Sequence, residues 1–209
     1  MHYKTKLIFF DFDGVIADSF EAAFEANKIL YPSLEREVYR RRFDGNINET
    51  MGSDRLGESY KPDTDFFKEY DSRLLKSPMF PGMREVLEIL QAQFTLVIIS
   101  STTASLINKF LALHKIDKFF REILGNDTHA SKIKKLEIAL ARYDSEARDC
   151  IFVTDTLGDI KEAHHMRIKT IAVTWGYQPK ELLEKGTPFA TADTPQDLLR
   201  LLISPYALA

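Results

Sequence analysis

Four short apolar runs limit what this chain can become: Leu7–Phe10, Phe94–Ile99, Ile151–Val153 and Thr170–Val173. Each is continuous rather than alternating, the pattern of a strand covered on both faces, as in a parallel sheet. Ile123–Leu124 is a weaker run and fits an edge strand. Helical repeats lie between them. Met83, Val86, Leu87 and Leu90 follow Pro81-Gly82; Leu106, Ile107, Phe110 and Leu111 repeat the spacing; Ile133, Leu136 and Leu140 do so behind Ser131, a residue suited to an N-cap. Strands alternating with helices imply an α/β fold with a doubly wound, mainly parallel sheet.

The stretch 17–79 breaks that alternation. It holds no strand-like run and reads as polar helices over Ser19–Leu30, Glu35–Phe43 and Thr64–Leu75, separated by Gly45, Gly52, Gly57 and Pro62. A piece of about 60 residues is marginal as an independent fold. It is therefore expected to be a small all-helical cap inserted after the first strand, with Phe66-Phe67 in a small core of its own. Residues 1–16 and 80–209 would form the main domain.

Charge and composition exclude several functions. With 28 Lys+Arg against 31 Asp+Glu the chain nets −3, which offers no basic field for nucleic acid. One cysteine, Cys150, rules out an internal disulfide framework and a Cys-rich zinc site, and its place before a buried strand suggests core packing. Phe94–Ile99 is far shorter than the ~20 residues a membrane span needs. The opening MHYKTKLIFFDFDG has no long apolar stretch ahead of its first acids, unlike a secretory signal. A soluble, cytoplasmic protein acting on a small molecule is expected, with neither nucleic acid nor membrane as partner, as a monomer or homodimer.

The informative residues are those that follow the strands. Leu7–Phe10 ends at Asp11-Phe12-Asp13-Gly14, Phe94–Ile99 at Ser100-Ser101-Thr102-Thr103, and Ile151–Val153 at Thr154-Asp155-Thr156-Leu157-Gly158-Asp159. In an open parallel sheet, ligands bind beyond the carboxyl ends of the strands, so three strands deliver acids and hydroxyls to one crevice. Four acids there (Asp11, Asp13, Asp155 and Asp159) need a counter-charge, because neighbouring carboxylates repel. An all-oxygen site suits a hard cation, above all Mg2+. No GxxxxGK, GxGxxG or HExxH string is present. His164 and His165 are adjacent on a predicted helix and point to different faces, so they do not form a zinc site.

These residues carry a family resemblance. FFDFDGVIADS resembles the first motif of the haloacid dehalogenase-like superfamily, Ser100 after LVII its second, Lys132 in SKIKKLEIAL its third and TDTLGD its fourth. The early helical insertion and the tail from VTWGYQPKELLEKG onward resemble the branch that contains phosphoglycolate phosphatase and β-phosphoglucomutase. The resemblance implies a Mg2+-dependent phosphatase acting on a small phosphorylated metabolite. In it Asp11 is the nucleophile that becomes an aspartyl-phosphate, and Asp13 the acid that protonates the leaving alcohol and then activates water. Gly14, Ser100 and Lys132 would contact the phosphoryl group. Asp11, Asp13 (through its carbonyl) and Asp155 would hold the metal, and Asp159 would stand with them or orient Lys132. Thr154 departs from the usual Gly of the fourth motif, and Val15 resembles the mutase version rather than the phosphatase Thr.

Plainer readings compete at several positions. Asp11 and Asp13 would also serve merely to end a strand, and Ser100 to make a turn or an N-cap. Lys132 competes with Lys134 and Lys135 on a face that would otherwise be solvated, and Asp159 would also cap its helix. Trp175-Gly176-Tyr177 either wall the site or pack as aromatics, Arg40-Arg41-Arg42 read as a solvated face, and the loop Gly45–Gly52 is the expected seat of specificity. The functional alternatives are a sugar-phosphate mutase, which returns phosphate to product, and a phospho-accepting signalling module without turnover.

Overall fold

The computed structural model describes residues 7–41, 43 and 64–204. Six parallel strands form one sheet: β1 (Leu7–Phe10), β2 (Thr95–Ile99), β3 (Glu122–Leu124), β4 (Cys150–Thr154), β5 (Lys169–Val173) and β6 (Ala190–Ala192), in the order β3-β2-β1-β4-β5-β6. The continuous apolar runs are explained by the two faces. Ile8, Phe10, Leu96, Ile98, Ile151 and Val153 join one core cluster, while Leu7, Phe9, Val97, Ile99, Cys150 and Phe152 join another. Alternate residues of each strand thus enter opposite layers, which is why the buried strand positions are apolar throughout apart from Thr154 and Thr170. Ile123–Leu124 lies in the edge strand expected of it. The other edge, β6, is Ala190-Thr191-Ala192, too short and too plain to stand out in sequence.

Helices follow the strands. Among them α4 (Met83–Gln91) and α5 (Ala104–Leu113) bury the expected apolar positions. By contrast α6 (Lys132–Arg142) buries Leu136 of its expected three, with Ile133 and Leu140 only half-buried and Lys132, Lys135 and Ala139 buried in their stead. Ser131 does cap α6, its hydroxyl accepting from Lys134 N. The next helix, α7 (Leu157–His165), is capped by Thr156, which accepts from Asp159 N. The chain ends its described part with α8 (Lys180–Leu183) and α9 (Pro195–Ile203). No described helix is long and apolar enough to cross a membrane.

Between β1 and β2 the chain makes a helical excursion: α1 (Phe20–Leu30), α2 (Arg36–Arg41) and α3 (Thr64–Leu74), with α1 packed on α3. It leaves and returns at one place. Asp18 N donates to Pro78 O at 2.9 Å, Phe80 N to Ile16 O at 3.1 Å, and Ala17 bridges Met79. The excursion's buried side chains, Phe20, Phe24, Tyr39, Tyr70 and Leu74, belong to the same apolar cluster as Phe12 and Ile16 of the main body. That differs from a cap with its own small core: Phe66 stacks on Tyr70 and packs against the shared cluster, while Phe67 is 43% exposed. The helices are too small to enclose a core alone and use the main body's apolar surface instead.

Candidate active site

Strand order reverses between β1 and β4, and the chain segments that follow these two strands flank the crevice that such a reversal opens. Asp11 begins the first segment, 4% exposed, its N–H donating to Val153 O at 2.9 Å. Asp155 begins the second, 1% exposed. Lys132, the first residue of α6, reaches in from one side: its Nζ donates to Asp11 Oδ2 at 2.7 Å and to Asp159 Oδ2 at 2.6 Å. Thr154, the departure from the usual Gly, donates its hydroxyl to the same Asp159 oxygen at 2.7 Å. Asp11 Oδ1 accepts from Phe12 N at 2.7 Å.

The electrostatics of this cluster are unequal. Burial pulls against a charged Lys132, but the two carboxylates outweigh it and hold the ammonium above the usual lysine range. Burial also opposes an ionised Asp159, yet Lys132 and the hydrogen bonds hold that carboxyl below its ordinary value. Asp11 goes the other way: burial pushes it well up, against Lys132, with Asp159 and Asp155 adding to the rise. Burial pushes Asp155 up to about 7, opposed by the Tyr177 N–H. One ammonium is therefore shared by more buried carboxylates than it can balance.

Whether a cation suits this place can be tested on Asp155. Its Oδ2 accepts from Tyr177 N at 2.7 Å, while its Oδ1 is buried with no hydrogen-bond partner among the described residues. A buried carboxylate oxygen left bare is costly unless something positive meets it. Gly14, at φ +75°, and Gly176 both press on this carboxylate so closely that a Cβ on either would collide with it. Among the described residues no three His, Cys, Asp or Glu side chains are grouped to hold a metal. The oxygen set of Asp11, Asp155 and main-chain carbonyls fits Mg2+, which binds through one or two carboxylates and keeps much of its water.

Asp13, two residues beyond Asp11, sits among hydroxyls. Its Oδ1 accepts from Ser19 at 2.7 Å and from the Tyr70 phenol; its Oδ2 accepts from Thr102 at 2.7 Å. Ser19 in turn meets the Tyr177 hydroxyl at 2.9 Å. Burial first, and the Asp13 charge second, push the Tyr70 phenol well above its usual range, so it stays a donor. Tyr177 links the two sides, with its N–H on Asp155 and its hydroxyl on Ser19, and its carbonyl accepts from Arg40 at 3.0 Å.

Ser100 is fully buried. Its N–H donates to Leu124 O, and its hydroxyl accepts from Thr102 N at 2.9 Å, so its own O–H proton is not spent there. Its carbonyl accepts from the ammonium of Lys135, also fully buried.

Of the three candidate lysines, Lys132 enters the site, Lys135 supports it from beneath, and Lys134 is exposed and pairs with Glu137. Asp159 does not cap α7, since Thr156 does; its side chain faces Lys132 instead. Arg40 lies over the Phe20 ring at 4.4 Å rather than in solvent, whereas Arg41 is exposed beside Glu37. Arg42 and the loop Gly45–Gly52 lie outside the described residues. Val15 is fully buried, and its carbonyl accepts from Trp175 Nε1. Burial pushes the Cys150 thiol up to about 12, as core packing requires.

Sequence reasoning missed Ser19, Tyr70 and Thr102, and left Lys135 and Tyr177 undecided. Ser19 and Thr102 adjoin recognised motifs and were open to suspicion on that ground. Tyr70 carries no local signal, because only the folding back of α3 brings it to Asp13.

Comparison with known proteins adds an independent line. A family model described as haloacid dehalogenase-like hydrolase matches residues 8–173. The phosphoglycolate phosphatase of Vibrio parahaemolyticus is 28% identical over 222 aligned residues, covering 94% of this chain and 96% of its own. A solved haloacid dehalogenase-like hydrolase from Streptococcus pneumoniae superposes with a TM-score of 0.78 at 22% identity, over 95% of this chain and 99% of that one. CbbY from Rhodobacter sphaeroides, solved in complex with phosphate, does so with a TM-score of 0.72 at 18% identity, over 93% and 96%. The two structures share the fold.

Proposed function

This chain belongs to the haloacid dehalogenase-like hydrolase family, and from that premise we propose that it is a Mg2+-dependent phosphatase of small phosphomonoesters, phosphoglycolate phosphatase-like, working through an aspartyl-phosphate. The observation that carries this reading is the buried Asp11 carboxylate, held at the end of the central strand β1 by Lys132 Nζ at 2.7 Å. The similarity to the Vibrio phosphoglycolate phosphatase, which extends over nearly the whole of both chains, supports the substrate class.

In the first step an Asp11 carboxylate oxygen attacks phosphorus, and the bond to the leaving oxygen breaks. Asp13 gives that oxygen its proton and is left as a carboxylate. In the second step Asp13 takes a proton from water, whose oxygen attacks the aspartyl-phosphate, releasing inorganic phosphate and restoring Asp11. Each carboxylate–phosphate charge pair at contact costs about 4 kcal/mol at an effective dielectric near 20, so unassisted attack is strongly opposed. Lys132 offsets part of that cost, and the Ser100 hydroxyl donates to a phosphoryl oxygen. The Gly14 N–H, expected to contact the phosphoryl group, is instead spent on Ala17 O at 3.0 Å, and Gly14 serves by its lack of a side chain beside Asp155. Bound Mg2+ would supply the remaining positive charge on the attacking and transferring oxygens. Asp11, Asp155 and the Asp13 carbonyl would hold it, and Asp159 acts through Lys132.

The test is a panel of phosphorylated metabolites, 2-phosphoglycolate included, assayed for phosphate release with and without Mg2+. Wild type is expected to release phosphate only with Mg2+, and Asp11→Asn to lose it by on the order of 10^4-fold or more. Equal release by the two proteins would remove the reading. Label retained on an intact protein without turnover, or phosphate moved within a sugar, would favour the alternatives.

A further inference from the structure

The carboxyl group of Asp13 accepts three hydroxyl hydrogen bonds, and they are not evenly shared. Oδ1 accepts two, from Ser19 and Tyr70; Oδ2 accepts one, from Thr102. A carboxylate oxygen offers two in-plane lone pairs. Among the described residues Oδ1 therefore has both engaged, while Oδ2 keeps one. Ser19 is fixed in its donor role from behind: if it donates to Asp13, the hydroxyl contact with Tyr177 at 2.9 Å must have Tyr177 donating to Ser19. The three donors come from different parts of the chain. Ser19 precedes α1, Thr102 follows β2, and Tyr70 belongs to α3 of the helical excursion.

We infer that Tyr70 is a positioning residue for Asp13: together with Ser19 it occupies Oδ1, so that Oδ2 alone exchanges the proton with the leaving group and with water. This rests on the phosphatase reading above and deepens it. Rotation of the carboxyl is restrained on both sides, and the oxygen with the open lone pair is defined. Because Tyr70 comes from the excursion, the acid is fully oriented only when α3 is seated on the main body. Tyr70 itself touches neither substrate nor the reacting atoms in this scheme. Its ring also stacks on Phe66, with centroids 5.7 Å apart and planes within 6°, so removing the hydroxyl alone leaves that packing in place.

The experiment uses leaving groups that differ in their need for a proton. In the transfer step an alkyl phosphate leaves as an alkoxide and needs the Asp13 proton, whereas p-nitrophenyl phosphate leaves as a stable phenolate and does not. The second step uses Asp13 alike for both, so the transfer step is read alone through kcat/KM, which ends at departure of the leaving group. Tyr70→Phe is expected to lower kcat/KM on the best alkyl phosphate of the panel by about 10- to 100-fold. On p-nitrophenyl phosphate the loss should stay below about 2-fold. Ser19→Ala, which vacates the same oxygen without touching α3, should reproduce the split, so a folding defect at Tyr70 cannot decide the matter. Equal losses on both substrates, or no loss on the alkyl phosphate, in both variants would overturn the inference. The comparison is made beside wild type and Asp11→Asn: were those two alike on p-nitrophenyl phosphate, the phosphatase reading itself would fall and take this one with it.

Discussion

Asp11 and Asp13 stand two residues apart at one strand end, yet they are held by opposite means. Asp11 is gripped by charge: one ammonium, two further buried carboxylates, and donors drawn wholly from the main body. Asp13 is gripped by neutral hydroxyls, two of which, Ser19 and Tyr70, belong to the helical excursion. The difference suits the two jobs proposed for them. A nucleophile needs a fixed position and a compensated charge before substrate arrives, and the strand ends of a packed sheet provide that. A group that must both give and take a proton is better oriented by weak, rotatable donors than fixed to a permanent cation. The charged half is thus set by the folding of the sheet, and the hydroxyl half is completed by the docking of helices upon it.

Removing Lys132 is the harshest way to break the contrast. Lys132→Ala leaves Asp11 and Asp159 buried without their cation, and breaking a buried pair from one side costs about 3–5 kcal/mol. A large fall in the urea midpoint and loss of phosphate release are expected together. Unchanged stability would show that the charged half is not an ionic cluster at all. A milder probe strikes the joint between the halves. Gly176→Ala drives a methyl against the Asp155 carboxylate and the Gly14 carbonyl, where backbone cannot yield, and should cost about 1–3 kcal/mol. It should also shift Tyr177, which joins Asp155 to Ser19, so both substrates of the leaving-group test should suffer alike, unlike with Tyr70→Phe.

The smallest effect separates two lysines one turn apart on α6. Lys135 has only a carbonyl for partner among the hydrogen bonds described, and burial, with Lys132 adding to it, pulls its amine from the usual 10.5 down to about 8. Below about pH 8 both folded and unfolded chains carry the proton, and the penalty for burying the charge is full. Between about 8 and 10.5 the unfolded chain binds more protons than the folded one, so stability rises with pH through that window. Lys135→Met, which cannot titrate, should therefore be the more stable protein at pH 7, with the gap to wild type closing as pH approaches 10.5. Thermal midpoints of the two at matched pH check this; a constant gap would mean that Lys135 titrates normally.

Much of this arrangement was legible in the chain. The apolar runs that became β1, β2, β4 and β5 must be continuous because each buries both faces, and continuity is a local property. Asp11, Asp13, Ser100 and Asp155 were legible for the same reason: polar residues that end an apolar run lie at a strand's end wherever the strand goes. Lys132 was separable from its neighbours only by its place before the first apolar turn. The short edge strand β6 was not legible, since Ala190-Thr191-Ala192 gains its conformation by pairing with β5 rather than from its own side chains.

What the amino-acid order determined by itself, then, is the set of strand-end residues and their spacing, because strand period and burial act over a few neighbours. What only the tertiary structure decided is which distant hydroxyl meets which carboxylate. Tyr70 reaches Asp13 across 57 positions and Thr102 across 89, and Tyr177 reaches Ser19 across 158. Such contacts follow from how helices and loops pack against the sheet, and packing is a sum over the whole core that no short stretch of sequence contains.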